Sequence, residues 1–281
     1  MRGYLLLFLC GLIFLLSCKK DALNAPAASF ILVNTVSVNT TSAVQGSNSH
    51  KITDMWYYVN GEFKGVFPVG SVMPIVATDN AEITLFAGIK NNGISATRTP
   101  YQFYKAVSYI QALLPGKTYT ISPEFEYTSN AIFYYQQPQN FDSSVSQFEP
   151  QGDSAYFRTV DPNKTFGGTG GSIFMSISDT KPTSKMVQSI NYFLPAGGTT
   201  IYLELNYKCN QTFVVGVIGD DFDERGAITV NSSAEWNKIY IQLTGIVSAQ
   251  PLHLGYKVFI KATKEVNIPE IYIDNIKLIS Y

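Results

Sequence analysis

Short β-rich segments separated by turn signals recur along the chain and argue against a helical fold. Asn60-Gly61 lies between two such segments, and because both residues tolerate positive φ the pair predicts a two-residue hairpin turn. Asn91-Asn92-Gly93 and Pro115-Gly116-Lys117 are further turn candidates. The chain holds 18 Tyr, 18 Phe and 21 Gly but only 15% charged residues, a mixture that suits strands rather than long helices. We therefore predict an all-β protein.

The length of 281 residues is enough for two domains. Residues 28–135 hold about seven predicted strands, which predicts a small immunoglobulin-like β-sandwich. The polar segment 136–140 contains Pro138 and is the predicted linker. A second β-sandwich domain is predicted over 141–281.

The chain begins with one early cation and an apolar run that ends at Leu15-Leu16-Ser17-Cys18. This pattern predicts a lipoprotein signal peptide over 1–17, because a short apolar core and a small residue before the cut are the parts that a secretion signal needs. The run is too short to span a bilayer comfortably. Residues 18–27 then form a polar tether. We expect acyl chains on Cys18 to anchor the chain in the cell envelope, at the outer membrane, with the remainder outside the cytoplasm.

Charge and cysteine content exclude several classes of function. The formal net charge of −1 gives no electrostatic case for nucleic acid binding. Of the three cysteines, Cys10 leaves with the signal and Cys18 is acylated, so Cys209 has no partner for a disulfide or a thiolate metal cluster. We interpret Cys209 as an inert packing residue.

The second domain has a more specific pattern than the first. A glycine loop at 167–171 enters the apolar segment 172–175, alternating apolar segments follow at 201–207 and 236–243, and the chain closes with Ile271-Tyr272-Ile273-Asp274-Asn275-Ile276-Lys277-Leu278. This order resembles the galactose-binding-like jelly roll that many carbohydrate-binding modules share. The architecture of the first domain resembles the N-terminal modules of anchored bacterial surface proteins.

The resemblance implies a structural calcium ion. Asp274 matches the acidic position on the last strand, either Asp142 or Glu149 matches the early acid, and Gly168 and Thr169 could supply carbonyl oxygens. Calcium takes six to eight oxygen ligands, so one carboxylate alone would not suffice. The alternative is that Asp274 only caps its own turn.

The spacing of apolar residues on the last strand changes near Asp274. Ile271 and Ile273 predict inward positions before it, whereas Ile276 and Leu278 predict them after it. Since side chains alternate between faces along a strand, this change indicates a β-bulge at Asp274-Asn275.

Outward positions on three strands of the second domain supply a candidate ligand face. Aromatic rings stack on sugar faces and amides or carboxylates bind hydroxyls, so such a face suits a glycan. The candidate glycan-binding residues are Tyr202, Glu204, Asn206, Trp236, Tyr240, Gln242, Lys257 and Phe259. The alternative is that these aromatics pack under a loop or against the first domain.

The sequence shows no catalytic motif. His50 and His253 are isolated, no Gly-x-Ser-x-Gly is present, and the glycine loop lacks the Gly-Lys-Ser/Thr of a phosphate-binding loop. The acidic segment 220–226 fails the spacing of an EF-hand and is predicted to be a solvated hairpin tip.

The layout resembles the surface glycan-binding lipoproteins of polysaccharide-uptake systems. This resemblance implies a non-catalytic, lipid-anchored protein whose second domain captures a polysaccharide or oligosaccharide. A structural or assembly lipoprotein that binds another envelope protein is the alternative, and a glycosidase is less favoured.

Overall fold

The computed structural model describes residues 27–76, 80–152, 154–249 and 255–281. The predicted signal peptide, Cys18 and nearly all of the predicted tether lie outside these ranges. Nearly all of the regular secondary structure in the described residues is β-strand, which confirms the predicted all-β class. Within them, no helix has the length and apolar character needed to cross a membrane.

The first domain packs strands of three small sheets around one core. Its strands are β1 Ser29–Val33, β2 Ser37–Asn39, β3 Asp54–Val59, β4 Glu62–Pro68, β5 Val72–Ile75, β6 Asn80–Lys90, β7 Arg98–Pro100, β8 Val107–Ala112, β9 Thr118–Ile121 and β10 Glu124–Glu126. One sheet has the order β4-β3-β6-β7, with β8 also paired to β6; the others are β5-β1-β9 and β10-β2. Tyr57, Leu85 and Phe125 lie in the core between them.

The three predicted turns of the first domain are confirmed. Asn60 and Gly61 have φ values of 49° and 80° and join β3 to β4, because both residues tolerate the left-handed region. Gly93 at φ 71° follows β6, and Gly116 at φ 77° connects β8 to β9.

The second domain is a sandwich of two antiparallel sheets. Its elements are β11 Ile132–Phe133, β12 Phe148–Pro150, β13 Ala155–Thr159, β14 Ser172–Ser176, β15 Thr183–Gln188, β16 Ile201–Cys209, β17 Phe213–Ile218, β18 Glu224–Val230, β19 Ser233–Gln242, the short helix α1 Thr244–Ser248, β20 Lys257–Thr263 and β21 Ile271–Ser280. The sheet β13-β14-β21-β16-β19, with β11 added on β21, is called the interface sheet; the sheet β12-β15-β20-β17-β18 is called the outer sheet. The chain passes repeatedly between these sheets, as expected for a jelly roll.

The predicted bulge on the last strand is also confirmed. The pairing of β21 with β16 shifts register between Glu204 and Asn206, and Asn275 has a φ of 50°. The bulge lets Ile273 and Ile276 both enter the core between the two sheets. Cys209 is buried in the same core, and burial raises the pKa of its thiol.

The segment 136–140, the predicted linker, lies against the second domain. β11 just before it pairs with β21, and Gln139 is buried and forms a β-bridge with Ile276. The first domain packs directly on the side of the interface sheet that faces away from the second domain's own core. Tyr202, Tyr240 and Ile279 on that side join the core of the first domain.

Candidate functional site

The eight predicted glycan contacts lie on two different sheets, so the expectation of one shared face is wrong. Tyr202, Glu204 and Asn206 lie on β16, and Trp236, Tyr240 and Gln242 lie on β19; both strands belong to the interface sheet. Lys257 and Phe259 lie on β20 in the outer sheet. The two groups thus lie on opposite sheets of the sandwich.

The first domain covers the predicted contacts on β16 and on the middle of β19. Tyr202 and Tyr240 point away from the core of their own domain, as the alternation predicts, but they are buried in the core of the first. Asn206 Oδ1 accepts a 3.0 Å hydrogen bond from Ser49, and the Tyr240 hydroxyl accepts one of 3.0 Å from the Lys51 backbone N–H. Their expected exposure to a ligand is therefore wrong, and packing against the first domain is what the structure shows.

The other two predicted contacts on β19, Trp236 and Gln242, also contact residues of the protein itself. Trp236 meets the ring of Phe166 edge-on at a centroid distance of 5.5 Å. Gln242 Oε1 accepts a 3.1 Å hydrogen bond from Asn91 Nδ2, and its backbone N–H donates to Asn92 Oδ1 at 2.8 Å. Both side chains therefore have contacts within the protein.

Glu204 is the centre of a buried polar cluster at the interface. It accepts hydrogen bonds from the hydroxyls of Tyr101 at 2.7 Å and Tyr127 at 3.0 Å, and it pairs with Lys238 at 2.5 Å. Burial opposes its charged form, but Lys238 and Lys277 together hold the pKa of this carboxyl below its ordinary value. Glu204 is therefore a charged structural group rather than a sugar contact.

Phe259 lies on the outer face of the outer sheet but cannot present its ring to a ligand. The ring covers Gly216 on β17, where a Cβ would come within 2.7 Å of it. The Lys185 ammonium lies 5.8 Å from the ring centroid, and Phe259 is only 2% exposed. The prediction of Phe259 as a glycan contact is wrong because the Lys185 side chain covers the ring face on which a sugar would stack.

Charged side chains cross this face above Phe259. Lys185 Nζ donates to Glu224 Oε1 at 2.5 Å, and Lys261 Nζ donates to Glu224 Oε2 at 3.2 Å. The hydrogen bond from Lys185 is the main cause that lowers the pKa of Glu224. Beside this network lies a cavity of about 410 Å³, lined by Thr212, Phe213, Val214, Glu224, Gly226, Thr229, Phe259, Lys261, Ala262, Thr263 and Glu265.

A smaller cavity of about 210 Å³ lies next to the tip of the β17–β18 hairpin. It is lined by Gln151, Val187, Asn191, Ile218, Gly219, Asp220, Phe222 and Lys257. The predicted glycan contact Lys257 is thus on an accessible face. Amide, carboxylate and ammonium groups converge here on an apolar floor, which is the composition of a polar-ligand pocket.

Phe222 on the rim of this cavity was not predicted from the sequence. Its ring is 86% exposed, and its backbone has a φ of 64°, a region that bulky residues rarely occupy. Arg225 pairs with Asp221 and Asp223 and fixes the hairpin tip around it. An exposed, strained aromatic beside a polar cavity is a signal of binding. The only sequence signal was an aromatic within a predicted hairpin tip.

The residues proposed for calcium are brought together in part. Asp142, Thr169 and Asp274 line one cavity of about 460 Å³ at the junction of the domains, and Gly168 lies in the same glycine loop. Asp142 Oδ1 accepts a 3.2 Å hydrogen bond from the Gly171 backbone N–H and occupies the space that a Cβ on Gly170 would need. Glu149 instead lies on β12 of the outer sheet, in register with Val187, so its prediction as a ligand is wrong.

The Asp274 carboxyl is poorly solvated. Burial raises its pKa to about 7, and the nearby Asp142 adds to this rise, although hydrogen bonds from Ser172 and the Asn275 backbone oppose it. Within the described ranges, no group of three or more His, Cys, Asp or Glu side chains converges to hold a metal. A cation here would depend on two carboxylates with loop carbonyl and amide oxygens, which is a donor set that calcium accepts.

Comparisons with known proteins find structural likeness only. No family model matches the chain, and no curated protein matches its sequence. A family 29 carbohydrate-binding module is 12% identical with a TM-score of 0.36, over 53% of this chain and 89% of its own. A family 61 carbohydrate-binding module solved with β-1,4-galactotriose is 14% identical with a TM-score of 0.38, over 53% of this chain and 99% of its own.

The enzymatically active domain of tailspike protein 4 from bacteriophage CBA120 is 14% identical with a TM-score of 0.38, and the match covers 50% of this chain but only 20% of the tailspike. At such scores, no binding or catalytic residue is transferred from these proteins. The candidate site is therefore defined by the geometry of this chain alone.

Proposed function

We propose that the chain is a non-catalytic, lipid-anchored envelope protein that binds glycan on the outer face of its outer sheet. The exposed ring of Phe222 beside the cavity that Lys257 lines is the observation that carries this proposal. The first domain, proposed to be an immunoglobulin-like module, would act as a rigid base that presents this face. Acyl chains on Cys18 would hold the whole protein at the outer membrane.

The chemistry of the face supports a sugar ligand. A pyranose presents an apolar C–H face, which an exposed aromatic ring can stack on, and hydroxyls that need donors and acceptors in fixed positions. Phe222 supplies the ring, whereas Gln151, Asn191 and Lys257 supply polar groups around the cavity. The larger cavity beside Glu224 and Lys261 extends the polar surface across the sheet, so a chain of several sugar units has room.

The test is calorimetry of the purified protein with a panel of soluble polysaccharides. Phe222→Ala should weaken binding about fivefold, because one aromatic contact contributes on the order of 1 kcal/mol. Phe157→Ala is the matched control, since this phenylalanine is also exposed but lies on β13 in the other sheet. No reducing sugar should be released from a polysaccharide that binds.

Two outcomes would contradict the proposal. If no polysaccharide binds at millimolar sugar concentration, the glycan proposal is wrong and the alternative, binding of another envelope protein, is favoured. If Phe157→Ala weakens binding as much as Phe222→Ala does, the ligand lies elsewhere on the molecule.

We also propose that Asp142 and Asp274 bind a structural calcium ion, together with oxygens of the glycine loop. Both carboxylates line one cavity, and a bound cation would compensate the charge of a carboxyl whose burial otherwise disfavours ionisation. The ion would fix the glycine loop against the bulge of β21.

A further inference from the structure

A separate cavity of about 100 Å³ lies at the seam between the two domains. Its walls are Lys51, Thr53, Lys90 and Gly93 from the first domain and Tyr207, Asn237, Lys238, Ile239 and Tyr240 from the second. This volume is well below the roughly 300 Å³ of the smallest drug-sized pockets, so it suits a small group. Three of these side chains are cationic, and none of the lining residues of the described chain is an acid.

Lys51 donates to a neutral acceptor rather than to a carboxylate, and Lys238 shares its carboxylate with a second lysine. Lys51 Nζ donates to Asn237 Oδ1, a neutral acceptor, and Asn237 Nδ2 donates to the Tyr207 hydroxyl at 2.9 Å. Lys238 pairs with Glu204 at 2.5 Å. The same carboxylate also interacts with Lys277, so one negative charge serves two buried ammonium groups.

Burial, and after it neighbouring positive charge, lowers the pKa of three titratable groups around the seam. Burial and then Lys90 lower the pKa of Lys51, and burial and then Lys238 lower that of His50. Burial and then Lys238 bring the pKa of Lys277 to about 7, although Glu204 opposes this shift. A cavity within such a field attracts anions even though the whole chain has a net charge of −1.

We propose that the seam cavity binds a small oxyanion group, such as sulfate, phosphate or the carboxylate of an acidic sugar. Charge-assisted hydrogen bonds from ammonium groups to such oxygens are among the stronger polar contacts in proteins. Because Lys51 and Lys90 belong to the first domain and Lys238 to the second, the anion would join the two domains.

The test is calorimetry of the purified protein with sodium sulfate, sodium phosphate and sodium glucuronate, each at one fixed ionic strength. We expect saturable binding of at least one anion. Lys51→Gln and Lys90→Gln should each weaken it at least fivefold, since each removes one cationic wall. Lys64→Gln is the matched control and should change nothing, because Lys64 lies on β4 in an exposed pair with Glu62.

The three anions identify the source of the ligand. Sulfate or phosphate binding without glucuronate indicates a free inorganic anion, whereas tighter binding of glucuronate indicates an acidic sugar. No saturable binding of any of the three, or unchanged affinity in the Lys51→Gln/Lys90→Gln double variant, would overturn the proposal. Phe222→Ala should leave anion binding unchanged, so this test is independent of the glycan site on the outer sheet.

Discussion

Tyr101 of the first domain donates a 2.7 Å hydrogen bond to Glu204 of the second, 103 residues further along the chain. Glu204 is fully buried and also pairs with Lys238 at 2.5 Å. The contact between the domains thus contains a buried ion pair whose oxygens are occupied by tyrosine hydroxyls. Such an arrangement fixes the relative position of the domains, because a shifted interface would leave buried charge unpaired.

Glu204→Ala should destabilise the protein by about 3–5 kcal/mol, because it leaves Lys238 and Lys277 buried without their carboxylate. Urea unfolding measures this loss. Glu126→Ala is the control, since its pair with Lys105 is exposed and contributes at most about 1 kcal/mol. Equal stability of the two variants would show that the interface does not depend on the buried pair.

Tyr240→Ala should cost about 3–5 kcal/mol in the same measurement, as expected for deletion of a fully buried aromatic side chain. Tyr240→Phe keeps the ring but removes the hydroxyl, which accepts from the Lys51 backbone N–H and interacts with Tyr104, and it should cost about 1 kcal/mol. A stable Tyr240→Ala variant would mean that the ring is not part of the first-domain core.

The pH dependence of stability should contain a contribution from Asp274. Its pKa is about 7 in the folded state against an ordinary 3.8, so between these values the folded state holds a proton that the unfolded state releases. Stability is therefore lost as pH rises through this range, by on the order of 3 kcal/mol between about pH 5 and pH 8 without metal.

Asp274→Asn should remove this contribution. The measurement is the difference in unfolding free energy between wild type and variant at both pH values in chelator, because contributions of other groups such as Lys277 then cancel. The same difference at both pH values would show that Asp274 is not protonated in the folded state at the lower one.

Calcium removal should lower the melting temperature of the wild-type protein by several degrees. A ligand that binds only the folded state adds about 2.7 kcal/mol at a hundredfold excess over Kd. Asp142→Ala should melt at the same temperature with and without chelator, whereas Glu149→Ala should respond like the wild type. A wild-type melting curve that does not change with chelator argues against the ion.

Cys18→Ser should abolish acylation, since the thiol is the proposed attachment point. Metabolic labelling with a fatty-acid analogue measures this. Label that persists in the variant would exclude Cys18 as the anchor.

Local backbone features could be predicted from the sequence. The Asn60-Gly61 turn and the bulge at Asp274-Asn275 follow from φ preferences and from the alternation of apolar residues, and both are present. Alternation also gives the face on which Tyr202 and Tyr240 lie, but it does not show what covers that face. Their burial depends on contacts with residues more than 100 positions away, such as Tyr101.

Less of the candidate site could be predicted from the sequence. The exposure of Phe222 results from a hairpin tip held by Arg225, and a single aromatic in an acidic loop does not indicate it. Phe259 had the correct outward position, yet Lys185 and Gly216 on neighbouring strands determine that its ring is covered. The choice between Asp142 and Glu149 likewise required knowing that Glu149 joins the outer sheet, whereas Asp142 lies in a loop against the glycine loop.

The last strand, β21, determines when the first domain can complete its core during folding. β21 pairs with β11, lies at the centre of the interface sheet, and places Ile279 in the core of the first domain. During synthesis from the N-terminus, the first domain therefore cannot complete its core until the C-terminal residues have been delivered. We expect the two domains to unfold in one cooperative transition, and deletion of the last ten residues to destabilise the N-terminal domain as much as the domain to which they belong.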